Sequence, residues 1–174
     1  MRYIALIRGI NVGKKNWISM KLLKSMFEDA GYGNVVTYIN SGNVLFDSAE
    51  DPPKIQRNLA RMISGLVEDE IPVIVITQSG LAGINRAVPE TWQNDAVQST
   101  NVGFLLPEID KEDILVELPF KMEYVQVLYV KGALIWNVKR ENLNKSRVTN
   151  LAGHAYYKKM TIRNVNTLRK LADM

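Results

Sequence analysis

A chain of 174 residues with 47% hydrophobic and 23% charged residues has ordinary globular composition, enough for one domain or two small ones with a real core. It has no cysteine and a single histidine, His154, which excludes disulfides, thiolate nucleophiles and Cys-based metal centres. With too few soft ligands and no acidic cluster resembling a magnesium site, no metal and no cofactor is expected. The net charge of +4 is unevenly spread: residues 1–30 hold six Lys/Arg against two acids, residues 31–120 five against thirteen, and residues 121–174 eleven against three. Basic ends that meet in space would attract phosphates or nucleic acid, whereas an acidic middle that neutralises them would not.

Residues 2–8 are too short for a helix and apolar on both faces, which predicts a central strand. Their apolar stretch ends at Arg8, well short of a signal-peptide core or a membrane span, so a cytoplasmic protein without membrane contact is expected. Ser19 is a suitable N-cap for a helix carrying Met20, Leu23, Met26 and Phe27, with Gly31 to terminate it. Val35 to Ile39 and Val44 to Phe46 read as a hairpin around Asn40-Ser41-Gly42-Asn43. Asp51-Pro52-Pro53 opens a second helix, and Val73 to Ile76 forms a fourth strand. The order βαββαβ predicts a split βαβ, or ferredoxin-like, unit with an antiparallel sheet over residues 1–77.

Residues 78–174 repeat the theme as a second α+β unit. A short helix is expected at 78–88, a strand at 102–106 and a helix at 110–118. A hairpin about Lys131-Gly132 follows, and then helices in 146–153 and 164–173. This is a divergent ferredoxin-like unit lacking a clear last strand. The boundary falls between about Thr77 and Thr100, where Gly80, Gly83, Pro89 and Gln93-Asn94-Asp95 collect.

Three polar segments stand out: Arg8 to Asn16, Tyr38 to Asn43, and Thr161 to Thr167. The first lies between strand and helix, where unpaired N–H groups favour anions and Gly9 and Gly13 allow close approach. It is no Walker A motif, since three residues separate its glycines and Lys14-Lys15 replaces Lys-Ser/Thr. The second is also what a tight turn prefers, and in the third Thr161 or Asn164 can simply cap a helix. His154, Ser41 and Ser146 lack the partners of a general base or nucleophile. Trp17 could stack a base, while Trp92 suits a loop anchor and Trp136 a strand core.

Leu6 to Gly13 with Lys15-Asn16, Thr37 to Ile39 with Ser41 to Val44, and Thr161 with Arg163-Asn164 and Asn166-Thr167 resemble the hallmark segments of a largely bacterial family catalogued as domain of unknown function 1697. Two positions differ from its usual pattern: Lys14 stands for a glycine and Val165 often for a tryptophan. The resemblance implies two ferredoxin-like units and one site shared by the three segments, but no reaction. In that site Arg8, Lys15 and Arg163 would hold a phosphate or carboxylate, and Asn11, Asn16, Ser41, Asn43 and Asn164 would orient the rest of a small ligand. Catalytic residues are unknown, so whether the chain is an enzyme stays open.

Two other readings compete: a ligand-free regulatory or protein-interaction module, and an RNA-binding module, although neither central strand carries an RNP1-like pattern. The oligomeric state is open as well. With the first and third strands taken as parallel, the 9–18 loop and the 40–43 turn fall at opposite ends of the sheet. They would then lie about 17–20 Å apart, and a shared site would require the loop to fold back.

Overall fold

The computed structural model describes residues 1–12, 16–67 and 71–174. Two compact units divide the chain, Met1–Gly80 and Leu81–Met174. Each contains a four-stranded antiparallel sheet, so the protein is mixed α+β.

The first unit runs β1 (Arg2–Ile7), α1 (Met20–Asp29), β2 (Gly33–Tyr38), β3 (Asn43–Asp47), α2 (Pro52–Ser64) and β4 (Val73–Thr77), and the unit boundary falls inside α3 (Gln78–Ala87). Its strand order is β2-β3-β1-β4. β1 is therefore internal, and Tyr3 to Ile7 are all buried, as a strand apolar on both faces requires. Tyr3, Ala5 and Ile7 share a core with Val44 and Phe46 of β3, Leu23 and Phe27 of α1, and Ile55, Leu59 and Ile63 of α2. Ser19 caps α1 by accepting from Leu22 N–H at 3.0 Å, and α2 begins behind Asp51 with proline in its first turn.

The second unit runs β5 (Gln98–Leu105), β6 (Val125–Val130), β7 (Ala133–Lys139), α4 (Leu143–Ser146), β8 (Met160–Asn164) and α5 (Val165–Ala172), in the order β6-β7-β5-β8. The order matches that of the first unit strand for strand. The expected missing strand is present: β8 pairs antiparallel with β5, Leu105 opposite Met160 and Asn101 opposite Asn164. Its period-two pattern is short and partly polar, with Met160 and Ile162 packed into the core beneath Trp136 and Leu134 while Thr161 and Arg163 take the other face.

Two expected helices are replaced. In place of 110–118 there are two short 3₁₀ turns, Pro107–Ile109 and Glu112–Val116. Between them the Asp110 carboxylate accepts from Tyr129 Oη at 2.9 Å and Gly132 N–H at 2.8 Å, which ties position 110 to the β6–β7 hairpin and keeps it out of a helix. The 146–153 helix is interrupted at Arg147, whose φ of 59° is left-handed, so α4 ends at Ser146 and a 3₁₀ stretch follows over Val148–Gly153. Among the described residues, no helix is long and apolar enough to cross a membrane, and no three His, Cys, Asp or Glu groups cluster as a metal site would need.

Candidate functional site

The end of β1 and the start of β3 are neighbours. Leu6 lies opposite Asn43, and Ile7 N–H donates to Gly42 O at 2.9 Å. The expected separation of loop and turn is therefore corrected: β3 is antiparallel to β1, because the crossover through α1 returns β2 in the direction of β1 and the hairpin then reverses it. No fold-back of the loop is needed to bring the first two polar segments to one edge.

Asn11 makes the join. Its Nδ2 donates to Ile18 O at 2.8 Å and to Asn40 O at 3.0 Å, while its Oδ1 accepts from Ile18 N–H at 2.8 Å. Its own N–H donates to Asn16 O at 3.1 Å, closing the loop on itself. Both amide hydrogens are thus committed to holding loop and turn together. Asn43 plays the same part in the turn: fully buried, it donates to Tyr38 O at 3.1 Å and to Ser41 Oγ at 2.9 Å.

Arg8, Asn16 and Ser41 are half-buried on this edge, and the Arg8 N–H is anchored on Pro72 O at 3.1 Å. Lys15, with Gly13 and Lys14, lies outside the described residues. The backbone here is left-handed at Gly9, Asn11, Asn16, Ile39 and Gly42, with φ from 48° to 75°. Ile39 is the surprise, since a β-branched residue strongly disfavours that region. Composition flagged the asparagines and glycines; nothing in the sequence marks Ile39. Around the same loop and turn Val12 is 68% exposed, Trp17 68% and Ile39 51%.

The third segment belongs to the second unit and is engaged there. Asn164, not Thr161, caps α5, accepting from Thr167 N–H at 2.8 Å. Thr161 sits within β8, and its buried Oγ1 has no hydrogen-bond partner among the described residues. Arg163 is 9% exposed, donates to Ile162 O at 2.9 Å, and burial pushes its guanidinium pKa down to about 10. Asn166 donates to Asn94 O, and Arg169 reaches Gln93 Oε1 and Trp92 O, so α5 fastens the 92–95 stretch that composition marks as a linker. Ser146 is buried, donating to Leu143 O, and His154 Nδ1 accepts from Tyr156 N–H as the cap of a 3₁₀ turn. Trp92 and Trp136 are both buried, as a loop anchor and a strand core residue respectively.

A family model described as a protein of unknown function, DUF1697, matches residues 1–136, a stretch that contains the first two segments and stops before the third. Among solved structures the chain is similar to a conserved bacterial protein from Streptococcus pneumoniae, with a TM-score of 0.86 and 24% identity over 99% of this chain and 97% of that one. At that identity the likeness shows a common fold. No curated protein matches the chain.

Proposed function

The chain belongs to the DUF1697 family of proteins of unknown function, and we propose that it binds a small ligand bearing a phosphate or carboxylate on the edge where the loop after β1 meets the β2–β3 turn. In this reading Arg8 and Lys15 supply charge, Asn16 and Ser41 orient the polar remainder, and Asn11 and Asn43 hold the two segments in register. The supporting observation is the 3.0 Å hydrogen bond from Asn11 Nδ2 to Asn40 O, which ties two segments some thirty positions apart to one edge beside Arg8. Arg163 and Asn164 are left out of the proposed site, because the first is buried in the second unit and the second is spent on capping α5. A ferredoxin-like reading of both units is part of the proposal; the shared strand order supports it. So is a cytoplasmic setting.

The test is a thermal-shift screen of inorganic phosphate, nucleotides and phosphosugars. A ligand at about 100 times its dissociation constant adds roughly 2.7 kcal/mol. The shift should vanish in Arg8→Ala and Lys15→Ala and shrink with salt, as interactions between exposed charges do. A full shift in both variants would remove the site from this edge. The exposed Val12, Trp17 and Ile39 favour a second reading, a contact surface for another protein. On that reading Trp17→Ala abolishes association measured by sedimentation and leaves any anion-induced shift unchanged.

A further inference from the structure

We propose that the second unit carries a saccharide-binding cleft, built from none of the residues of the loop-and-turn edge. A cleft of about 500 Å³ opens beside the ends of β5, β6 and β7, with Thr91, Trp92 and Val97 along one wall. That volume lies within the range of small-molecule sites.

Its most informative lining residue is Asn137, which is 6% exposed. The hydrogen-bond network around it has only one consistent assignment. Thr100 Oγ1 donates its single hydrogen to Gln93 O at 2.8 Å, so towards Asn137 Nδ2, 2.7 Å away, it can only accept. Gln98 Nε2 donates to Thr91 O at 2.9 Å, which turns its Oε1 towards Asn137 Nδ2 at 2.6 Å. Both Asn137 hydrogens are thereby used. Its Oδ1 receives no hydrogen bond among the described residues and is left as an acceptor at the cleft. An acceptor held in one orientation on a nearly buried residue and open to the cleft is a position that a donor from a ligand can use.

The rim indicates the ligand. Gln126, directly across the ladder from Asn137, and Asn142 both line the cleft, and neither amide makes a hydrogen bond among the described residues. Each offers a donor and an acceptor. One charge of each sign, Lys139 and Glu123, completes the polar lining. Lys139 and Glu123 offset one another, and an anion would also meet the Asn137 acceptor, so the lining favours neither sign of charge. Neutral hydroxyls, which donate and accept, fit all three amides. Val97 and Met122, both more than half exposed, provide apolar surface for the C–H face of a sugar ring, while Lys145 Nζ lies over the Tyr124 ring, 6.0 Å from its centroid.

Saturation-transfer NMR on the full chain with glucose, galactose, N-acetylglucosamine and ribose tests this, with adenosine and methyl phosphate as comparators. At least one saccharide should receive saturation at millimolar concentration. The double variant Gln126→Ala/Asn142→Ala should weaken its binding at least about tenfold, a loss of roughly 1.4 kcal/mol, with an unchanged melting temperature. Asn137→Leu, which removes the acceptor at similar volume, should abolish binding. Transfer to no saccharide, transfer to adenosine or methyl phosphate alone, or undiminished binding in the double variant would each overturn the proposal.

Discussion

Gly42 shows how much a single position can carry. Its φ of 75° is left-handed, and a Cβ there would lie 2.9 Å from both Ile10 Cδ1 and Ile7 Cβ. The Ile10 methyl is the end of a flexible side chain and can swing away, but Ile7 Cβ is fixed to a central strand. Gly42→Ala therefore combines a backbone penalty of about 1–2 kcal/mol with overpacking of similar size, and should cost about 2–4 kcal/mol in denaturant titrations. Ile39 predicts the opposite sign. It is 51% exposed, so little burial is lost on replacing it, while its φ of 48° suits asparagine far better. Ile39→Asn should raise stability by up to about 1 kcal/mol, read as a higher melting temperature. Asn11→Ala would leave the N–H of the buried Ile18 without its acceptor, and a loss of about 2 kcal/mol is expected from equilibrium unfolding.

At the scale of elements, the β6–β7 hairpin is clamped by a carboxylate. Burial works to raise the Asp110 pKa, but hydrogen bonds from Lys131, Gly132 N–H and Tyr129 Oη together outweigh it and hold the group below its ordinary value. Lys131 Nζ stands 2.8 Å from Asp110 Oδ2. A depressed acid contributes stability that is present above the unfolded pKa, about 4 for aspartate, and lost as pH falls through the folded value. Stability of the wild type should therefore decline below about pH 4 more steeply than that of Asp110→Asn, measured by urea unfolding across the acid range. The helix that follows the last strand of each sheet starts without a loop and is capped from that strand's final residue. Thr77 Oγ1 accepts from Gly80 N–H at 3.0 Å, and Asn164 Oδ1 from Thr167 N–H at 2.8 Å. Such a cap contributes about 1 kcal/mol.

For the whole molecule, the blocks of charge along the chain are partly cancelled within each unit. Arg2 of the basic start pairs with Asp47 of the acidic middle at 3.4 Å, and Lys131 of the basic end pairs with Asp110. Antiparallel pairing brings these distant blocks together and weakens the argument for a polyanion surface built from charge alone. Fluorescence anisotropy with a short single-stranded RNA should accordingly show only weak binding at physiological salt. Tight binding with a steep salt dependence would instead favour the RNA reading.

Local chemistry determined much of this protein. Apolar runs of strand length, Ser19 and the Asp51-Pro52-Pro53 start, and the turn residues at 40–43 and 131–132 placed all of the first unit's strands and helices and the later hairpin, because each depends on a few neighbouring residues. The clustered amides and glycines likewise marked the loop after β1 and the β2–β3 turn. What the sequence left hidden depends on partners far along the chain. β8 became a strand because β5 offers an open ladder edge; Asp110 stayed out of a helix because Tyr129 and Gly132 bind it. Polar Asn137, in the middle of an apolar strand, acquired its meaning only when Thr100 and Gln98 fixed its amide. Hydrogen bonds between residues tens of positions apart leave no periodicity in a sequence, so tertiary structure alone decided which amides hold the fold and which line the cleft of the second unit.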